Sequence, residues 1–93
     1  MITVITDNVV KGSRDEYVAL SKAFAGDVRA NDHGCLGIEV YVDDKRPDHV
    51  VFLSSWETEA DWNAHVGGES FKKHIPAMGP YYGGGTDTIL RQA

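Results

Sequence analysis

Residues 35–57 read CLGIEVYVDDKRPDHVVFLSSWE, and this stretch decides the fold. From Cys35 to Val42 the chain alternates, with Leu36, Ile38, Val40 and Val42 on one side and Glu39 and Tyr41 on the other. Period-2 alternation marks a half-buried strand. Asp43-Asp44-Lys45-Arg46-Pro47-Asp48 is a polar loop with a proline, and His49 to Glu57 is a second strand, so the two pair as a hairpin with a longish loop. Near its start the second strand is apolar on both faces, with Val50 and Phe52 opposing Val51 and Leu53. Helices covering one face of such a sheet leave the other face apolar and wet.

Upstream of the hairpin, Ile2 to Thr6 is a β-branched run that reads as a strand. The turn-prone Asp7-Asn8 and Lys11-Gly12 follow it as a loop. Ser13 with Glu16 forms a capping box, and Tyr17, Leu20, Phe24 and Val28 recur at helical spacing through about Ala30. Arg14, Asp15, Lys22 and Asp27 occupy the other face of that helix, and Asn31-Asp32-His33-Gly34 breaks it. Downstream of the hairpin, Thr58 and Asp61 start a short helix through Trp62 and His65 that Gly67-Gly68 ends. A further helical segment, Glu69 to about Met78, carries Phe71, Ile75 and Met78 on one face, with Pro76 expected to bend or stop it. Tyr81 to Gly85 reads as a flexible aromatic and glycine segment, and Thr86 to Arg91 as a final edge strand.

The order is strand, helix, strand, strand, broken helix, strand over a single domain of residues 1–93. That is the split βαβ arrangement of α+β ferredoxin-like domains, an antiparallel four-stranded sheet with its helices on one face. The uncovered apolar face predicts a homodimer joined sheet to sheet.

Composition narrows the partners. The chain carries 14 acidic against 9 basic residues, a formal net charge of -5, and its cations are scattered. No electrostatic footprint for nucleic acid or an anionic membrane appears. No apolar run approaches the roughly 20 residues that span a bilayer, and ITVIT is too short for a secretory core, so the expected location is the cytoplasm. Cys35 is the single cysteine and reads as a buried small hydrophobe rather than a nucleophile. No HExxH, phosphate-binding glycine loop, GxSxG or paired metal-ligand spacing occurs, which sets aside zinc, nucleotide-dependent and serine-hydrolase mechanisms. A folded monomer of this mass exposes about 5,300 Å², having buried about 64% of its unfolded surface.

Three segments together, MITVIT (1–6), HGCLGIEVYVDD (33–44) and LSSWETEADWNAHVGGESFKKH (53–74), resemble the antibiotic biosynthesis monooxygenase superfamily of small dimeric α/β-barrel proteins. The carriers are the strand-ending Trp56-Glu57, the capping Thr58, the histidine of Asn63-Ala64-His65, a glycine break, and the aromatic of Ser70-Phe71. The resemblance implies a pocket between helices and sheet in which a small aromatic or quinol reacts with dioxygen without flavin, haem or metal. Relatives also include proteins that bind and degrade haem, isomerases of small sugar-like signals, and many with no demonstrated activity; a non-catalytic small-molecule-binding dimer is the alternative of a different class. Where a histidine commonly precedes the aromatic, this chain has Ser70, and His74 follows three residues after Phe71.

Each candidate residue has two possible roles. His65, three residues after Trp62, either faces the pocket and takes a phenolic proton or caps the last carbonyls of its helix. His74 and Phe71, one turn apart, either flank a ligand or leave a solvated histidine beside Lys72 and Lys73. Trp56 either lines a pocket left open by Ser54 and Ser55 or belongs to the core or a dimer interface, and Trp62 carries the same ambiguity. Asn8 either donates to a substrate carbonyl or reduced oxygen, or forms a turn. Tyr81 and Tyr82 before three glycines suit a mobile lid or an arm on a partner subunit. Asn8, Trp62 and His74 also keep the order Asn, Trp, His of the haem-degrading relatives, an alternative in which an imidazole ligates iron. His33 and His49 receive no role.

Overall fold

The computed structural model describes residues 1–93. The elements are β1 (Ile2–Val10), α1 (Arg14–Asn31), β2 (Cys35–Val42), β3 (His49–Trp56), α2 (Glu59–His65), α3 (Glu69–Met78) and β4 (Tyr82–Arg91), with a 3-10 turn at Gly79–Tyr81. All neighbouring strands pair antiparallel in the spatial order β2-β3-β1-β4, the ferredoxin-like α+β topology. The exposed surface is 5523 Å², close to the expectation for a monomer of this mass.

Local chemistry explains the helix ends. The Ser13 hydroxyl accepts from the Glu16 amide at 3.2 Å and opens α1, and the Thr58 hydroxyl accepts from the Asp61 amide at 3.1 Å and opens α2. Gly67, at φ 80°, takes the left-handed conformation that ends α2. Tyr17, Phe24, Ala25 and Val28 form the buried stripe of α1 and pack on Ile2, Val4, Val50, Phe52 and Trp56 of the central strands. Register accounts for that pairing: Ile2 lies opposite Trp56, Val4 opposite Ser54 and Thr6 opposite Phe52, so the even-numbered residues of β1 and β3 share the helix-covered face. Ile5, Val51, Leu53 and Tyr41 share the other face, which no helix covers; Tyr41 is 51% exposed and Leu53 36%.

Four expectations are corrected. β1 does not stop at Thr6 but continues to Val10, because as a central strand it is paired on both sides, Asp7 with Val51 and Thr86, Asn8 with Val50 and Gly85. Two ladders outweigh the turn preference of an Asp-Asn pair. The segment from Tyr82 to Gly85 is likewise not a flexible connector but the first half of β4. Leu36 is 52% exposed rather than buried, because the β2–β3 register shifts between Cys35 and Gly37 and a bulge turns it outward. Pro76 does not stop α3, which runs two residues further; the helix loses only the hydrogen bond that the missing N–H would have made to the turn of exposed Lys72. No helix is long and apolar enough to cross a membrane.

Candidate active site

α1 covers the β2–β3 side of the sheet, α3 leans on α1, and α2 packs against β3 and α3. Between these helices and the β1–β4 side lies a cavity of about 300 Å³, at the small end of the range typical of small-molecule sites. Its walls are rings and apolar side chains: Phe24 of α1, Phe52 of β3, Trp62 of α2, and Phe71, Ile75 and Met78 of α3. Phe24 stands edge-on to Phe52 and Phe71, with centroids 5.9 Å and 6.3 Å away. Edge-to-face packing of this kind fixes the positions of the rings that wall this slot.

At one end of the slot sits His65. It closes α2 and is 7% exposed, its ring 4.7 Å from Trp56, 5.3 Å from Trp62 and 5.8 Å from Phe24. Nδ1 meets Asp32 Oδ2 at 2.5 Å, and the Ser70 hydroxyl donates to Asp32 Oδ1 at 2.6 Å. An ionised carboxylate only accepts, so Nδ1 donates, and the neutral ring then carries its lone pair on Nε2. Nε2 has no hydrogen-bond partner in the protein, and the ring lines the cavity. The result is an imidazole in the cavity lining, held in one tautomer by a carboxylate and with its second nitrogen unpaired. Ser70, directly before Phe71, holds Asp32 rather than reaching the cavity.

The opposite end is polar. Asn8 lies on the central strand, 6% exposed, and its Nδ2 donates to the Tyr17 hydroxyl at 3.2 Å. Burial pushes the Tyr17 phenol above its ordinary value, outweighing the Asn8 bond, so it stays a neutral donor. Gly85 faces Asn8 across the β1–β4 ladder, and a Cβ there would lie 2.2 Å from Asn8 Oδ1. Only a glycine leaves room for the amide. Asp87, two residues on, faces the same space and accepts from the Thr6 hydroxyl at 2.7 Å.

Of the residues singled out from sequence, the cavity brings together Asn8, Trp62, His65 and Phe71. Trp56 is fully buried beneath His65, its indole N–H donating to Ser54 Oγ at 3.0 Å, and its ring backs the imidazole. His74 lies outside: its Nε2 meets Asp27 Oδ2 at 2.8 Å, and that bond is the main reason the Asp27 carboxyl sits below its ordinary value. Asn8, Trp62 and His74 therefore do not surround one space, and His74, tied to Asp27 outside the cavity, is not placed to ligate iron in it. Tyr81 packs on Tyr17 with centroids 6.4 Å apart and donates its hydroxyl to Glu16, whereas its neighbour Tyr82 reaches the cavity.

Asp32, Ser70, Tyr17 and Asp87 are the site groups that sequence reading passed over. Asp32 looks like a helix-ending turn residue, and its partner is 33 positions away. Asp87 becomes visible only once the β1–β4 register places it beside Thr6.

An aromatic-lined cavity with a carboxylate-bonded imidazole at one end and the polar groups of Asn8, Tyr17 and Asp87 at the other thus sits on a ferredoxin-like frame. Residues 1–77 match the family model described as antibiotic biosynthesis monooxygenase, and the chain belongs to that family. Among solved structures, one titled as an antibiotic biosynthesis monooxygenase is 25% identical, covers 100% of this chain and 99% of its own, and superposes with a TM-score of 0.85. A conserved protein from Methanosarcina mazei Go1 is 23% identical over 99% of this chain and 92% of its own, at 0.83. SnoaB, a cofactor-independent oxygenase from Streptomyces nogalater, is 12% identical over 99% and 92%, at 0.85, a likeness of fold. No curated protein matches the sequence.

Proposed function

We propose that the protein is a cytoplasmic, homodimeric, cofactor-independent monooxygenase acting on a small aromatic or quinol substrate. The observation that carries this reading is the free Nε2 of His65 in an aromatic slot, with Nδ1 fixed on Asp32 at 2.5 Å. The rings of Phe24, Phe71 and Trp62 hold a flat substrate with its phenolic or enolic O–H toward Nε2. His65 takes that proton, and Asp32 stabilises the imidazolium that forms. The resulting anion is electron-rich enough to pass one electron to dioxygen. Recombination of the two radicals forms a carbon–oxygen bond and a peroxide. The His65 imidazolium returns its proton to the peroxide, and the C–H bond at the oxygenated carbon and the O–O bond then break together, one oxygen staying as a carbonyl and the other leaving as water with both hydrogens. The balance is substrate-H2 plus O2 giving substrate=O plus water, with all electrons supplied by the substrate. Asn8 and Tyr17 anchor the other end. Trp56 and Tyr81 act through the neighbours they support, Trp56 beneath the base and Tyr81 against Tyr17, and His74 holds α3 to α1 through Asp27.

The uncovered sheet face with Tyr41, Leu53 and Leu90 supports the dimer, since a second copy would bury it. The test is oxygen uptake by metal-free, haem-free protein over hydroquinones and anthrones. Uptake above the spontaneous rate that His65→Ala loses is the expected result. Uptake that is unchanged in the variant, or tight binding without any uptake, contradicts the proposed chemistry, the latter in favour of a binding-only dimer.

A further inference from the structure

The polar end of the cavity carries a feature that proton transfer at His65 does not use. No lysine or arginine lines the cavity, and its one carboxylate is Asp87. Asp87 sits opposite Thr6, whose hydroxyl donates to Oδ1, and this is its only hydrogen bond; Oδ2 has no partner in the protein. The nearest cation on the same face of β4, Arg91, is turned away and paired with Glu59. Asn8 and the protonated Tyr17 phenol stand beside it on β1 and α1.

The strand register sets the distance between the two ends. His65 packs over Trp56, which pairs with Ile2, while Asp87 pairs with Thr6. Four residues along β1 separate the two levels by ~13 Å of backbone. Side chains reaching inward from both ends shorten the gap, so the slot fits a fused two-ring or three-ring aromatic lying along β1.

We propose that Asp87 is the specificity-determining residue of this cavity, accepting a hydroxyl or ammonium donor at the outer end of the ligand and turning away ligands that carry a carboxylate or phosphate there. An anionic group meets an uncompensated carboxylate, whereas a hydroxyl supplies the proton that Oδ2 lacks. At contact distances near a protein surface, one charge pair discriminates by on the order of tenfold or more. The inference rests on the cavity being the ligand site.

The test uses three ligands on one frame: 2,6-dihydroxynaphthalene, 6-hydroxy-2-naphthoic acid and 6-aminomethyl-2-naphthol. Affinity is read from quenching of tryptophan fluorescence, to which Trp62 in the cavity wall contributes. Wild-type protein is expected to bind the diol and the amine about tenfold or more tightly than the acid. Asp87→Asn, whose amide oxygen still accepts, should keep the diol and narrow the gap to the acid; Asp87→Lys should reverse the preference. Asp87 is exposed on an edge strand, so both variants are expected to fold, with melting curves as the control. An acid-to-diol ratio unchanged in both variants overturns the inference and leaves the cavity assignment standing. Absence of binding by all three ligands overturns both. Discrimination without oxygen uptake supports Asp87 and removes the catalytic reading alone.

Discussion

Replacing Asp32 by asparagine keeps its size and removes its charge. In the native site Oδ2 accepts from His65 Nδ1 at 2.5 Å and Oδ1 from Ser70 at 2.6 Å, so both oxygens are in use. An amide can offer only one oxygen. With that oxygen on Ser70, the NH2 faces Nδ1, the imidazole proton moves to Nε2, and the cavity loses its base. With the amide reversed, the Ser70 hydroxyl rotates to accept and the tautomer survives, but the imidazolium formed on proton transfer has no counter-charge. Both arrangements slow the reaction. A positioned general base contributes about 10²–10⁴-fold, equivalent to about 2.7–5.4 kcal/mol of barrier, so kcat for Asp32→Asn should fall within that range. Stability should fall by about 1.5–3 kcal/mol, the worth of hydrogen bonds to a charged group. For a domain of this size that is a drop in Tm of roughly 6–24 °C. The assay pairs oxygen uptake at saturating quinol, run below the variant's transition, with thermal melts. A rate within twofold of wild type in folded Asp32→Asn would refute the tautomer argument. Ser70→Ala, which leaves the His65 bond in place, should cost less than about tenfold in rate and about 1.5–3 kcal/mol in stability, since its bond too is to a charged group.

Three further outcomes follow from the same geometry. Gly85→Ala places a Cβ 2.2 Å from Asn8 Oδ1, so the amide must leave Tyr17; affinity for a two-ended aromatic should fall, and stability by about 1–3 kcal/mol, measured by fluorescence titration and urea unfolding. The His74 bond, foremost, holds Asp27 below its ordinary value of 3.8. A folded value below the unfolded one means that this stabilisation is present above the unfolded value and lost as pH falls through the folded one. Urea midpoints of wild type and Asp27→Asn should therefore differ at pH 7 and converge at the acid end; a constant gap would count against the pairing. Burial, the largest influence, raises the Cys35 thiol above its ordinary value, so modification by a disulfide reagent at pH 8 should run slower than for a small thiol and reach that rate in urea.

The frame was legible where one local rule governed. Alternation along Cys35–Val42, the caps at Ser13 and Thr58, and the helical stripe through Tyr17, Phe24 and Val28 are properties of neighbours in sequence, and β2, α1 and α2 appear where those signals lie. β1 was read short because Asp7 and Asn8 have turn chemistry, and only pairing with β3 and β4 on both sides overrides it. The glycines of β4 look like a hinge until Gly85 is seen to face the Asn8 amide. The site was half legible for the same reason. His65, Trp62 and Phe71 lie on consecutive short helices and their spacing brings them near one another. Asp32, Tyr17 and Asp87 reach the site through tertiary contacts or register, to which no spacing rule in one sequence points.

The central claim is that His65 deprotonates a bound aromatic which then takes one oxygen atom from dioxygen. Its most direct test is a single turnover of metal-free, haem-free protein with an anthrone or hydroquinone under isotopically labelled dioxygen, followed by mass spectrometry of the product. The account predicts one labelled oxygen in the product, the other in water, and loss of both in His65→Ala. Label absent from the product, or incorporated equally by the variant, would contradict it.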